Sequence, residues 1–346
     1  MSETNKFPFD MREEYFKFLN HEPTKIVVNQ LVASAETGFG ALPGPWIEKG
    51  PIGGGYDGFG VRWITPASGG GAPIPAPGEF LLEDICDWRE VVKFPDLDAF
   101  DWAADAEAAL AQVDRTVQAV NFGLGNGVYE RLAALMGFEE ALCAMVTDPE
   151  EVNAFFTALT DWKIEFVKKI KKYYHPDTIT YFDDIATERD LFMSPDAYRK
   201  LIKPHHKRFA QAVTNMGIKP ILHCCGHAEV IVEDMIDCGW VAWNSVQPSN
   251  DIVALCEKYG DRIGFIGGFD SNGRPAQPDA TEEEARAEIR RCIDTYGATE
   301  RGFCLFAFKV VNSRDPAVIG AAMAPLFEEY FTYTSQKLMA AGNTQS

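Results

Sequence analysis

The sequence is poor in basic residues: among its 346 residues, 32 lysines and arginines stand against 51 aspartates and glutamates, a formal net charge of −19. Nucleic acids and anionic membranes are bound by clustered lysine and arginine, so this deficit argues against both as partners. No apolar run approaches the about 18 residues of a membrane-spanning helix. The first ten residues lack the apolar stretch of a secretory signal, which predicts a cytoplasmic location.

A disulfide framework is not expected either. The eight cysteines are scattered along the chain, and a protein without an export signal keeps its thiols reduced. In that setting, a cysteine close to a histidine points to a metal ligand or a catalyst.

From Asp101 onward, the chain alternates regularly between strand and helix patterns. Apolar strand-type runs such as Ala119–Leu124, Thr178–Phe182 and Gly302–Phe308 are separated by amphipathic helices, of which Tyr129–Val146 is one. This repetition with short connections predicts a mostly parallel sheet covered by helices. About seven or eight strands on one length scale favour a closed (β/α)8 barrel, whose active site lies at the carboxyl ends of the strands.

The first hundred residues differ in composition from the rest. Met11–Leu19 has the apolar spacing of a helix, whereas Gly38–Gly78 holds 13 of the 29 glycines and seven of the 20 prolines. Regular helices cannot form in such a segment. We therefore expect a single barrel domain over residues 1–346, in which residues 1–100 form an N-terminal helix and a lid-like Gly/Pro-rich segment.

A candidate metal site begins in Pro220–Gly226, an apolar run that ends in His223, with Cys225 two positions later. Residues i and i+2 of an extended chain point the same way, so this imidazole and thiolate can reach one zinc ion, whereas Cys224 points away. Cys304, in the last strand, supplies a third donor. Three protein ligands with an open fourth position are typical of catalytic zinc. Three unrelated buried residues remain the alternative.

Acidic residues follow other predicted strands. Asp183 and Asp184 come directly after one strand and are candidates for acid–base catalysis, although capping or ion pairing would also explain them. Adjacent residues of a strand point to opposite sides, so only one of the two should face the site. Glu130 is a candidate fourth zinc donor or substrate contact, and His227 is a candidate substrate contact.

Several segments resemble a known family. Tyr181–Pro195, Ile221–Gly226, Asn244–Pro248 and Gly267–Asp270 are similar, in order and register, to segments of the uroporphyrinogen decarboxylase superfamily. The resemblance covers roughly residues 120–330 and implies a (β/α)8 barrel, in agreement with the pattern of strands and helices.

The superfamily has two main branches. True uroporphyrinogen decarboxylases hold their substrate with N-terminal arginines, and this chain has only Arg12 before Arg62. The other branch contains cobamide-dependent methyltransferases whose zinc is bound by His-x-Cys and a distant Cys, and His223, Cys225 and Cys304 resemble that pattern. The resemblance thus implies a zinc methyltransferase. The chain lacks the Asp-x-His-x-x-Gly motif of corrinoid-binding domains, so the implied corrinoid would be carried by a partner protein.

The direction of methyl transfer is left open by the resemblance. Zinc could activate a thiol that receives the methyl group, or polarise the ether oxygen of a methoxylated aromatic methyl donor whose methyl passes to the corrinoid. Tyr56, Trp63 and Phe306 could stack on an aromatic ring, which favours the second reaction, an O-demethylation. A uroporphyrinogen decarboxylase and a binding protein with a structural zinc are further alternatives. The sequence does not decide between a monomer and a homodimer.

Overall fold

The computed structural model describes residues 9–38, 47–50, 53–66, 73–299, 301–311, 313 and 315–343. Residues 39–46, 51–52 and 67–72 of the predicted lid lie outside these ranges. None of the helices within them is both long and apolar enough to cross a membrane.

The strands, in chain order, are β1 (Val28–Asn29), β2 (Ser34–Thr37), β3 (Gly55–Tyr56), β4 (Arg62–Ile64), β5 (Ile74–Pro75), β6 (Ala119–Leu124), β7 (Thr178–Phe182), β8 (Lys219–His223), β9 (Ala242–Val246), β10 (Gly264–Gly268) and β11 (Phe303–Phe306). The α-helices are α1 (Met11–Leu19), α2 (Gln30–Ala33), α3 (Trp88–Val91), α4 (Trp102–Leu110), α5 (Val128–Met136), α6 (Phe138–Thr147), α7 (Pro149–Tyr174), α8 (Pro195–Ala197), α9 (Lys203–Asn215), α10 (Val232–Cys238), α11 (Ile252–Tyr259), α12 (Glu282–Tyr296) and α13 (Pro316–Asn343).

Eight strands form one parallel sheet in the order β1-β11-β10-β9-β8-β7-β6-β2. Its two edge strands, β1 and β2, are consecutive in the chain and are joined only by the single turn of α2. The sheet therefore curls until its edges come together at that turn. The predicted (β/α)8 barrel is confirmed, with the difference that no full crossover helix separates β1 from β2.

The limits of β6 and β7 coincide with the predicted strands, because both are short apolar runs bounded by polar or turn-forming residues. The prediction of one helix over Tyr129–Val146 was wrong, since α5 and α6 are separate helices. Gly137 separates them with a φ of 94°, a conformation that side chains disfavour. A Cβ at Gly137 would also lie 2.8 Å from the ring of Phe80.

Helix α1 closes the amino-terminal end of the barrel. Its Tyr15, Phe18 and Leu19 are buried against interior side chains of the central strands, such as Ile221. Gly264 of β10 makes room for this helix, because a Cβ there would lie 2.4 Å from the Phe18 ring. With one end closed, a ligand can approach only from the carboxyl ends of the strands.

Buried ion pairs hold the N-terminal segment over the open end of the barrel. The Asp57 carboxylate accepts hydrogen bonds from Arg131 at 2.7 Å and from the indole of Trp63 at 3.0 Å, and neither member of the Asp57–Arg131 pair is exposed. The Glu48 carboxylate pairs with Lys163 of α7, which is also inaccessible. The two pairs join residues 47–50 and 53–63 to barrel helices, so these residues pack as part of the barrel.

We expect Asp57→Ala to lower the free energy of unfolding by about 3–5 kcal/mol, because it leaves the Arg131 guanidinium buried without its counter-ion. Chemical denaturation followed by circular dichroism measures this. Glu165→Ala is the matched control, since its pair with Lys168 is more than half exposed on both sides and should change stability little. Equal stabilities of the two variants would contradict the anchoring role of Asp57.

Candidate metal centre and adjoining cavity

The candidate site forms where two neighbouring strands end. In the register of β7 and β8, Phe182 lies beside His223. A short polar segment that contains Asp184 follows β7, and one that contains Cys225 follows β8. The backbone N–H of Cys225 donates to Asp184 Oδ1 at 2.7 Å and holds the two segments together.

Three metal-type donors converge there. The ligand atoms of Asp184, His223 and Cys225 all lie within 4.8 Å of one another. Cys225 Sγ is 3.4 Å from His223 Nε2, and Asp184 Oδ1 is 4.0 Å from the same nitrogen. Ligands of one tetrahedral zinc ion are about 3.5 Å apart at normal bond lengths. A carboxylate, an imidazole and a thiolate at these separations fit a zinc ion, with a fourth position left for substrate or water.

The ring of His223 is already in the tautomer that a metal requires. Its Nδ1–H donates to Asn244 Oδ1 at 2.5 Å, so the lone pair is on Nε2, the nitrogen beside Cys225. Asn244 is itself held, because its amide donates to Gln30 Oε1 at 2.8 Å. Phe182 stacks on the other side of the ring, with the centroids 4.2 Å apart. Burial lowers the pKa of His223, which favours the neutral imidazole that binds metal.

Asn244→Ala should weaken zinc binding about 10- to 100-fold, because the imidazole loses the acceptor that fixes its tautomer and orientation. Competition with a chromogenic zinc chelator measures the affinity. Asn244→Asp keeps an acceptor at the same place and should retain tight binding. If Asn244→Ala bound zinc as tightly as the unmodified protein, His223 would not be a ligand through Nε2.

Cys225 is the accessible member of the cysteine pair. Cys224 is fully buried in the apolar core, as strand alternation predicts. Burial, followed by the charge of Asp184, raises the pKa of Cys225 to about 12. The thiolate therefore needs a cation beside it to form at neutral pH.

Cys304 is not brought to this pair. Its strand is three strands away from β8 in the order of the sheet, and its side chain is fully buried in the barrel interior. Hydrogen bonds connect His223 to Asn244 and Asn244 to Gln30. The backbone N–H of Gln30 in turn donates to the sulfur of Cys304. Among the described residues, Asp184 and not Cys304 is the donor that lies beside the pair, and Cys304 as third ligand stays a prediction.

The two adjacent aspartates face opposite sides, as the alternation predicted. Asp183 is fully buried and accepts hydrogen bonds from the backbone N–H groups of Tyr129 and Glu130, at the start of α5, and from His206 at 2.8 Å. Its carboxylate thus stabilises a helix N-terminus. A role of Asp183 in catalysis is not supported by this position, whereas Asp184 faces the site as part of the donor set.

An apolar cavity of about 440 Å³ adjoins Asp184. This volume lies within the range of about 300–1,000 Å³ that is typical of small-molecule sites. Rings and prolines from the N-terminal segment form one wall, and helices α5 and α6 form the other. The apolar lining includes Trp63, Pro75, Phe80, Tyr129, Phe138 and Phe192.

Of the five side chains predicted to contact substrate, Trp63 and Glu130 line this cavity. Tyr56 lies on β3 with 65% of its surface exposed. His227 donates from Nδ1 to a backbone carbonyl at 2.9 Å and lines a separate surface groove. Phe306 lies at the end of β11, where its ring packs on a neighbouring phenylalanine at 5.6 Å. These last three do not line the cavity.

Glu130 is the unusual acid of the cavity. Its Oε2 is buried and has no hydrogen-bond partner in the described part of the chain. Burial raises the pKa of Glu130 to about 8, with Lys49 opposing the shift and Asp184 adding to it. The carboxyl group is therefore mostly protonated at neutral pH and can donate a proton to a ligand.

The sequence interpretation missed two residues of this region, Asn244 and Lys49. Asn244 lies in the middle of β9, and a buried polar residue inside an otherwise apolar strand is the signal that could have found it. Lys49 lies in the Gly/Pro-rich segment, where no periodic pattern relates a residue to the barrel. Its amine lies 5.9 Å from the centroid of the Phe182 ring, and the residue lines the cavity.

A barrel with metal-type donors and an adjoining cavity at the carboxyl ends of its strands has the architecture of a barrel enzyme. Residues 81–322 match the model of the uroporphyrinogen decarboxylase (URO-D) family, and the chain belongs to that family. The resemblance seen in the sequence is thus confirmed.

Its relatives include named methyltransferases. Over 120 residues, or 34% of each chain, it is 29% identical to the methylcobamide:CoM methyltransferase MtaA of Methanosarcina barkeri. Over 152 residues, it is 27% identical to a methylated-thiol–coenzyme M methyltransferase of Methanosarcina mazei, covering 42% of this chain and 37% of the relative. The matched region thus spans just over a third of these relatives. These names agree with the predicted cobamide methyltransferase branch.

A solved structure, a methyltransferase from Methanosarcina mazei, shares the fold. The two superimpose with a TM-score of 0.62 over 93% of this chain and 99% of that one, at 15% sequence identity. At this identity the likeness establishes the common barrel and no more.

Proposed function

We propose that this protein is a zinc-dependent methyltransferase that moves a methyl group between a small substrate and the cobalt of a corrinoid carried by a partner protein. The observation that carries the proposal is the convergence of Asp184, His223 and Cys225 beside an apolar cavity. Membership of the URO-D family and the names of the curated relatives support it. Within this class, we assign the reaction as O-demethylation of a methoxylated aromatic compound.

The cavity favours an aromatic substrate. Tyr129, Phe138 and Phe192 form a cluster in its wall, with ring centroids 4.9–6.2 Å apart. Trp63 faces it from the N-terminal segment. Aromatic faces and edges offer a planar ring stacking and edge contacts that a small aliphatic thiol cannot use.

Asp184, His223 and Cys225 would hold the zinc ion, which when bound supplies a Lewis acid for the ether oxygen. The bond between the methyl carbon and this oxygen would break with its electron pair left on the oxygen, and the methyl group would pass to the cobalt of the partner's corrinoid. Glu130 holds a proton at its carboxyl group and gives it to the departing phenolate. Phenols have a pKa of about 10, so transfer from a carboxyl with a pKa of about 8 is favourable.

A second candidate is methyl transfer to a thiol, which the names of the curated relatives favour because coenzyme M appears in them. The two reactions use the same metal centre. They differ in the direction of proton transfer. A phenolate gains a proton in demethylation, whereas a thiol loses one before it accepts a methyl group.

A methyl-donor screen tests the proposal. The zinc-loaded protein is mixed with cob(I)alamin and a series of methoxybenzenes and methoxybenzoates, and methylcobalamin is followed by its absorbance. In the reverse experiment, methylcobalamin is mixed with thiols. Methyl transfer from methoxyarenes supports demethylation. Transfer only to thiols would replace it by the second candidate, and a zinc-loaded protein that is inactive in both directions, with free cobalamin and with a corrinoid protein alike, would contradict both.

A further inference from the structure

Lys49 is held in a fixed position at the cavity. The aliphatic part of its side chain packs on Gly125, where a Cβ would lie 3.3 Å from Lys49 Cε. The preceding residue, Glu48, is tied to the barrel twice: its carboxylate pairs with Lys163, and its carbonyl accepts from Arg131 at 2.5 Å. The backbone around Lys49 is thus fastened to α5 and α7, which distinguishes it from a surface lysine on a free loop.

The following residue fixes Lys49 from the other side. Gly50 packs so closely on Trp63 that a Cβ would lie 2.5 Å from the Trp63 Cβ. Trp63 is in turn held by Asp57. The amine of Lys49 therefore reaches the cavity from a segment that is packed on both sides.

This amine has no counter-ion among the described residues, since none of their carboxylate oxygens lies within 4.0 Å of it. Three nearby acids are engaged elsewhere: Glu48 with Lys163, Asp57 with Arg131, and Asp183 with the start of α5. Glu130 and Asp184 line the same cavity, and the charge of Lys49 opposes the rise in the pKa of Glu130, but neither carboxylate forms an ion pair with the amine. The amine lies over the face of the Phe182 ring, 5.9 Å from its centroid. A partly exposed ammonium group without an ion-pair partner can bind an anionic group of a ligand.

We infer that the substrate of this cavity is an aromatic acid whose carboxylate pairs with Lys49 while its ring lies between the aromatic walls. Two polar groups of the site would then be satisfied by one ligand: the Lys49 amine by the acid group, and the buried oxygen of Glu130 by a second oxygen on the ring. The inference rests on the proposed function only for the statement that this second oxygen carries a methyl group.

Equilibrium binding tests the inference without turnover. Isothermal titration of the zinc-loaded protein with 4-methoxybenzoate and with methoxybenzene compares the same ring and ether with and without the anion. We expect the acid to bind at least about 10-fold more tightly, a difference of about 1.4 kcal/mol. Lys49→Met, which keeps an unbranched side chain of similar length, should remove this preference, and Lys49→Arg should retain it.

Controls separate the possible failures. Lys168→Met removes an exposed lysine of α7 and should leave the preference unchanged, and the zinc content shows that each variant keeps the metal centre. Equal affinities for the acid and the ether, or a preference that survives Lys49→Met, would overturn the inference. Failure of the proposed function would appear separately, as absence of methyl transfer from both methoxyarenes.

Discussion

Cys225→Ala should empty the metal centre, lowering bound zinc from about one to below about 0.1 per chain and abolishing methyl transfer. Cys225 supplies the only sulfur of the donor set. Its loss would leave an imidazole and a carboxylate, which do not hold zinc tightly by themselves. Elemental analysis of protein purified without chelators measures the zinc, and circular dichroism shows whether the barrel remains folded.

Cys304→Ala is the matched control, because it also removes one thiol from a residue at the inner face of the barrel. Its sulfur lies in the barrel interior, where the backbone N–H of Gln30 and a backbone carbonyl at 3.9 Å are its polar neighbours. We expect this variant to keep its zinc and to lose only the stability that a small internal cavity costs. Loss of zinc from Cys304→Ala, with retention in Cys225→Ala, would contradict the donor set.

Glu130→Gln should lower the rate of demethylation about 10²- to 10⁴-fold at neutral pH, the usual contribution of a positioned proton donor. Glutamine keeps the shape of the side chain but has no acidic proton. Tyr129→Phe is the control from the same helix and cavity wall: its hydroxyl is buried without a hydrogen-bond partner among the described residues, so its removal should change the rate little.

The pH profile distinguishes this role from a structural one. Because the pKa of Glu130 is raised to about 8, the active protonated form predominates below that pH and disappears above it. The rate should therefore be constant below pH 8 and fall about tenfold per unit above it, and this fall should be absent in Glu130→Gln. A rate that rises through pH 8 would instead indicate thiol deprotonation, as the second candidate function requires.

The barrel could be predicted from the sequence because its strands are short apolar runs that end in polar residues. His223, Cys225 and Asp184 each follow such a run, and strand alternation correctly separated Asp184 from Asp183 and Cys225 from Cys224. These features depend on local geometry of the chain, which a period of two residues determines.

Features that depend on contacts between distant segments were not accessible in the same way. The placement of Cys304 depends on the number of strands between β8 and β11 and on Asn244 and Gln30, which run towards it from His223. Lys49 reaches the cavity because buried ion pairs fasten its neighbours to α5 and α7. The break at Gly137 follows from the approach of Phe80, a residue more than fifty positions earlier in the chain.

X-ray absorption at the zinc edge measures the donor set of the loaded protein directly. Coordination by Asp184, His223 and Cys225 predicts one sulfur at about 2.3 Å, together with two or three nitrogen and oxygen neighbours at about 2.0–2.2 Å. The sulfur signal should disappear in Cys225→Ala reloaded with zinc and persist in Cys304→Ala. Two sulfur neighbours in the unmodified protein, falling to one in Cys304→Ala, would contradict this site.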